Sequence, residues 1–134
     1  MRRVHLIVGL LGVVVFTLTG QVMARHVPTV RAMQPELRLM YVSRHIYLLG
    51  GALVNLMTGL YLRRAAGRWQ RSLQFLGSLL LLVSPVALAV AFYREPPLGI
   101  AGRSWRSGVG LYALFAGVLL HGLSRVKGDA PGGN

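Results

Sequence analysis

Four apolar runs constrain this chain more than any other feature: Val4 to Met23, Tyr41 to Leu62, Ser72 to Tyr93 and Trp105 to Val126. Each is close to the ~20 residues that a helix needs to cross the hydrocarbon core of a bilayer. Lipid offers backbone N–H and C=O groups no water to bond, so segments of this length must satisfy them internally, as helices. The rest of the chain agrees with this. With 54% hydrophobic and 13% charged residues in 134, it is too apolar for an ordinary soluble domain and has room for one domain only.

The expected fold is therefore all-α: a polytopic membrane protein built as a four-transmembrane-helix antiparallel bundle. Its transmembrane domain is expected over residues 1–126, followed by a disordered tail over 127–134, because KGDAPGGN contains no apolar stretch to bury. The first connection, HVPTVRAMQPELRLM, carries Pro35, which suits the first position of a helix and predicts an interfacial extension leading into the second span. The first run resembles a signal peptide in its Val22-Met23-Ala24 sequence. Its apolar stretch is longer than a usual signal core, so it is read as a retained helix.

The net charge of +12 would suit nucleic acid, but the basic residues lie at the ends of the apolar runs rather than on one face. That is the distribution of membrane-flanking charge, and no nucleic-acid partner is expected. Orientation follows the bias of lysine and arginine in short loops. One side holds Arg2, Arg3, Arg63, Arg64, Arg68, Arg71, Arg125 and Lys127, and the other holds Arg25, Arg31, Arg38, Arg44, Arg94, Arg103 and Arg106. Eight against seven, with the eight packed more densely, places both termini on the cytoplasmic side of what is read as a bacterial inner membrane. So near a balance also leaves room for a homo-oligomer of oppositely inserted copies.

The polar residues within the spans fall on one side of each helix. At 100° per residue, Arg44, Leu48, Gly51, Asn55 and Thr58 or Gly59 share one face of the second helix, opposite Ile46, Leu49, Leu53, Leu56, Met57 and Leu60, which are expected to meet lipid. Similar stripes run through His5, Gly9, Gly12, Phe16, Thr19 and Gly20 in the first helix. In the third they run through Gln74, Gly77, Ser78, Leu81, Ser84 and Pro85, and in the fourth through Gly110, Ala113, Gly117, His121 and Ser124. Small residues one turn either side of Asn55 would let a neighbouring helix approach closely enough to bond its amide. Gly51, Asn55, Thr58, Gly59, Ser84 and Gly117 thus form the expected packing or ligand seam, and Pro85 should free a carbonyl one turn back.

A second polar group, Gln21, Arg44, His45, Glu95 and Arg103, is expected at the outer end. There Glu95 can pair with Arg44, Arg103 or Arg106 as a solvated interfacial ion pair, or take part in a vestibule for an anionic ligand or headgroup. Histidines add a third possibility. His5 with His121 near one face, and His26 with His45 near the other, are candidate axial ligands for haem, which needs two imidazoles meeting at one depth. Each lies near a helix end, however, where a histidine needs no ligand to explain it, so no cofactor is predicted outright.

No metal site is expected, because no histidine or carboxylate follows a histidine at i+3 or i+4 within a span, and the chain has no cysteine. Neither G-x-S-x-G nor H-E-x-x-H occurs, and no carboxylate lies mid-span to exchange a proton for a cation. The reading is a non-enzymatic accessory, assembly or scaffolding subunit that contacts lipid and a membrane-protein partner or its own copy. The alternatives are a small-solute or ion pathway through the polar seam, and a haem- or quinone-binding redox subunit.

Overall fold

The computed structural model describes residues 1–63, 65, 67–96 and 105–125. Among these the chain is all-helical: α1 (Arg2–Arg25), a short 3-10 turn (Val30–Ala32), α2 (Pro35–Tyr61), α3 (Arg68–Arg94) and α4 (Trp105–Leu123). Arg103 and the tail at 127–134 fall outside the described residues. α1, α3 and α4 are each long and apolar enough to cross a membrane, which makes this a membrane protein. α2 is as long as α3, at 27 residues, but is not among the helices apolar enough to cross, since His45 and Asn55 interrupt its hydrophobic stretch and Glu36, Arg38 and Arg44 occupy its first half.

Local signals explain where α2 begins. Pro35 sits in its first turn, where a missing N–H costs nothing, and Glu36 places a negative charge at the positive end of the helix dipole. The connection to α3 is tied down by one side chain. Gln74 donates from Nε2 to the Arg63 carbonyl at 2.7 Å and accepts from the Ala65 N–H at 3.3 Å.

The helices run alternately up and down in two tight hairpins, α1 with α2 and α3 with α4, joined along α2 and α3. Contacts between α1 and α2 step in opposite directions along the chain, with Gly9 on Leu56, Gly12 on Ala52 and Gly20 on His45. Glycine is required where backbones nearly touch. A Cβ at Gly9 would stand 2.8 Å from the Leu56 backbone nitrogen, and one at Gly59 would stand 2.8 Å from that of Leu6. The second hairpin uses Gly77 against the Gly117 carbonyl and Gly110 against Leu88.

The stripes read from the sequence lie on the buried faces of the four helices, but Leu56, expected toward lipid, packs instead against Gly9, because α1 crosses that flank of α2. A small apolar core of Leu48, Leu88, Phe92, Tyr41 and Val30 fills the end near the α1–α2 connection. Long apolar side chains on the opposite faces, such as Leu10, Leu11, Ile46, Met57, Val86 and Phe115, are exposed. On a soluble protein so much exposed apolar surface would be a liability; facing lipid, it is what the bilayer requires.

Candidate functional site

Asn55 lies in the half of the bundle that holds the start of α1, fully buried where α1, α2 and α3 meet. Its Nδ2 donates to the Gly51 carbonyl at 2.9 Å and to the Leu81 carbonyl at 2.8 Å. The second acceptor is available because Pro85, four residues on, has no N–H to offer it. Those two donated bonds fix which end of the amide is nitrogen, and the other, Asn55 Oδ1, is a carbonyl oxygen that can only accept. Its partner at 2.8 Å is His5 Nδ1, which must carry the ring proton and donate it.

That assignment leaves His5 Nε2 as a bare lone pair. It is the buried side-chain polar atom without a hydrogen-bond partner among the described residues. The His121 ring lies 6.3 Å away between centroids and inclined at 77°, and its Nε2 meets Ser78 Oγ at 3.1 Å. Ser78 in turn borders an open cavity of about 570 Å³ at the end that holds the N-terminus, whose other walls include Arg2, Arg3, Arg71, Gln74 and Phe75. On its other flank His121 borders a smaller apolar groove of about 310 Å³ with Leu53, Met57, Thr58 and Val118.

At the opposite end, Arg44 and Glu95 meet at 2.7 Å with both side chains almost fully buried. The pair is dry rather than solvated. The arginine turns into the bundle, where it also donates to the Met40 carbonyl at 3.1 Å, instead of reaching out to the headgroups. The second carboxylate oxygen of Glu95 accepts from the backbone N–H groups of Arg106 and Ser107, at 2.9 and 3.0 Å. Glu95 therefore caps the N-terminus of α4 from the end of α3, satisfying two of its otherwise orphaned donors. Burial pushes its carboxyl up, but the bonds from Ser107 and Arg44 outweigh that and hold it below the ordinary value of 4.5.

The other members expected at this end are placed differently. Gln21 is exposed on the outer face of α1, beside Leu18, Val22, Arg25 and His26 rather than beside Arg44. His45 donates from Nδ1 toward Thr19 Oγ1 at 2.9 Å and stacks on Phe16 with centroids 4.0 Å apart. His26 instead edges onto Tyr41, and Tyr41 and Phe92 stand between it and His45. Of the two expected histidine pairs, the structure brings His5 to His121 and does not bring His26 to His45.

The remaining seam residues are engaged inside the chain. Ser84 Oγ donates to the Gly110 carbonyl at 2.8 Å, and Thr58 Oγ1 to the Val54 carbonyl at 2.8 Å. Gly51 packs on Pro85 and Leu88, Gly59 on Leu6, and Gly117 on Leu81. Sequence reasoning did not foresee the capping role of Glu95 or the bond between Ser78 and His121. The first had a signal, a carboxylate shortly before a predicted helix start. The second had none, because it joins residues 43 apart. No protein-family model, no curated protein and no solved structure matches this chain.

Proposed function

We propose that the chain is a small, non-enzymatic accessory or assembly subunit of a bacterial inner membrane, with all four helices spanning and both termini cytoplasmic. The observation supporting this is how the seam's polar groups are used. Asn55, Ser84, Thr58 and Gln74 each bond to protein, and the seam glycines are taken up in packing the chain against itself. What the protein then offers its surroundings is an outward shell of leucine, valine and aromatic side chains. Such a shell suits lipid and, by van der Waals fit, another membrane-embedded chain or a second copy.

The test is gentle purification from the native membrane, followed by native mass determination and identification of whatever co-purifies. The expected result is one membrane protein in fixed ratio, or a defined homo-oligomer. A solitary monomer that carries ions or small solutes across liposomes would replace this reading with the pathway one.

A further inference from the structure

The fold divides its charge unevenly between the two ends of the bundle. Of the three acidic residues in the chain, Glu36 and Glu95 lie at the end that holds the α1–α2 connection, and Asp129 lies outside the described residues. The end that holds the N-terminus carries Arg2, Arg3, Arg63, Arg68, Arg71 and Arg125, and among the described residues no carboxylate accompanies them. Arg3 has neither a hydrogen-bond nor an ion-pair partner among the described residues.

Three of these arginines meet around one space. The open cavity of about 570 Å³ is bounded by Arg2 and Arg3 on α1, Ala65 in the α2–α3 connection, and Arg71, Phe75 and Ser78 on α3. That volume is within the ~300–1,000 Å³ of sites that take small molecules. Its walls are held by the fold itself. Arg2 Nε donates to the Gly59 carbonyl at 3.0 Å, fixing the start of α1 to the end of α2, while Gln74 ties the connection to α3 through the Arg63 carbonyl and the Ala65 N–H. The bond from Arg2 uses Nε alone, so the two Nη groups of its fork still face a ligand.

Guanidinium groups drawn from two helices suit the paired oxygens of a phosphate. Both α1 and α3 are long and apolar enough to cross a membrane, so a cavity at their shared end lies at headgroup depth, where phosphate diesters are densest. Phe75 lines the cavity and is also exposed on the outer surface of α3, which gives an acyl chain an apolar way out. A zwitterionic headgroup would bring an ammonium group as well, and the cavity offers it no carboxylate.

We propose that this cavity binds the headgroup of an anionic phospholipid, its phosphate held by Arg2, Arg3 and Arg71 and an acyl chain leaving over Phe75. The inference stands apart from the accessory role, since it concerns a lipid and not a protein partner.

The experiment uses the purified full-length chain, delipidated in a neutral detergent. It is titrated with phosphatidylglycerol, with phosphatidylcholine of the same acyl chains and with inorganic phosphate, and bound lipid is counted by native mass spectrometry. The expected result is one phosphatidylglycerol per chain, held at least about fivefold tighter than phosphatidylcholine, the weight of a single arginine near a charged surface. Inorganic phosphate at the same concentration should not displace it. Arg3→Gln and Arg71→Gln should each weaken binding by up to about fivefold, the range for exposed charge pairs. Ala65→Trp, which fills the cavity and keeps every charge, should abolish the one-to-one complex. Arg38→Gln, at the other end of the bundle, should leave it unchanged, with circular dichroism confirming that each variant stays helical.

Equal affinity for the two lipids would overturn the proposal. So would displacement by inorganic phosphate at equal concentration, which would make this a site for a soluble anion. Equal losses in Arg3→Gln and Arg38→Gln would assign binding to overall charge, and a one-to-one complex that survives both Arg3→Gln and Ala65→Trp would put the lipid elsewhere.

Discussion

At the scale of single residues, the two ends of the bundle each depend on one polar side chain that several helices share. Asn55 joins three helices, and replacing it with leucine removes two donated bonds and leaves the His5 proton without an acceptor. Interhelical bonds in membranes are worth about 0.6–2 kcal/mol, and an orphaned buried donor adds about 1–3. Asn55→Leu should therefore lower stability in detergent by about 2–3 kcal/mol, whereas Met57→Leu on the outward face should not. Equal thermal unfolding of the two variants would show that the amide is not holding the helices together.

Glu95 makes a sharper case, because its loss takes from the buried Arg44 the carboxylate that it meets at 2.7 Å. Breaking a buried pair by removing one partner costs about 3–5 kcal/mol, so Glu95→Gln should be among the most destabilising single-atom changes in the chain. Its carboxyl is held below the ordinary value of 4.5 in the fold. The stability it contributes is therefore complete above that value and is lost as pH falls through the lower, folded value. Unfolding followed from pH 7 to pH 3 should show an acid limb that Glu95→Gln abolishes and that Glu36→Gln, at an exposed site, retains. An acid limb that survives in Glu95→Gln would assign it to another group.

At the scale of elements, the hairpins are set by where a side chain cannot fit. A methyl group at Gly9 would press on the Leu56 backbone, which cannot rotate out of the way, so α1 and α2 must move apart. Overpacking of this kind costs about 1–3 kcal/mol. Gly50 lies on the same pair of helices with nothing within 4 Å of the added carbon. There alanine should instead gain up to about 1 kcal/mol from helix propensity. Thermal unfolding of Gly9→Ala and Gly50→Ala should move in opposite directions. Movement in the same direction would mean that propensity, not close approach, governs both sites.

At the scale of the whole molecule, the uneven density of arginine governs insertion. Arg63, Arg64, Arg68 and Arg71 crowd the connection between α2 and α3, whereas the opposite side spreads its charge over longer segments. A fluorescent protein fused after residue 134 should therefore light up and a phosphatase fused there should stay inactive, as for a cytoplasmic terminus. Replacing Arg63, Arg68 and Arg71 with glutamine should give a mixture of the two signals. A phosphatase fusion that is active in the unaltered chain would reverse the orientation.

How much of this could be read in advance differs from one feature to the next, for physical reasons. Helix placement and the buried stripes were legible in the sequence, because a bilayer forces apolar runs into helices and the 3.6-residue period then fixes which residues share a face. So was the carbonyl freed by Pro85, a purely local consequence of a missing N–H. The sequence alone did not reveal that Asn55 would take that carbonyl, that Arg44 would turn inward to a dry Glu95, or which two of four histidines would meet. Each of those depends on the rotation of one helix against another and on their relative depth. Contacts such as Gly9 on Leu56 and Gly110 on Leu88 fix both, and they exist only once the helices have packed.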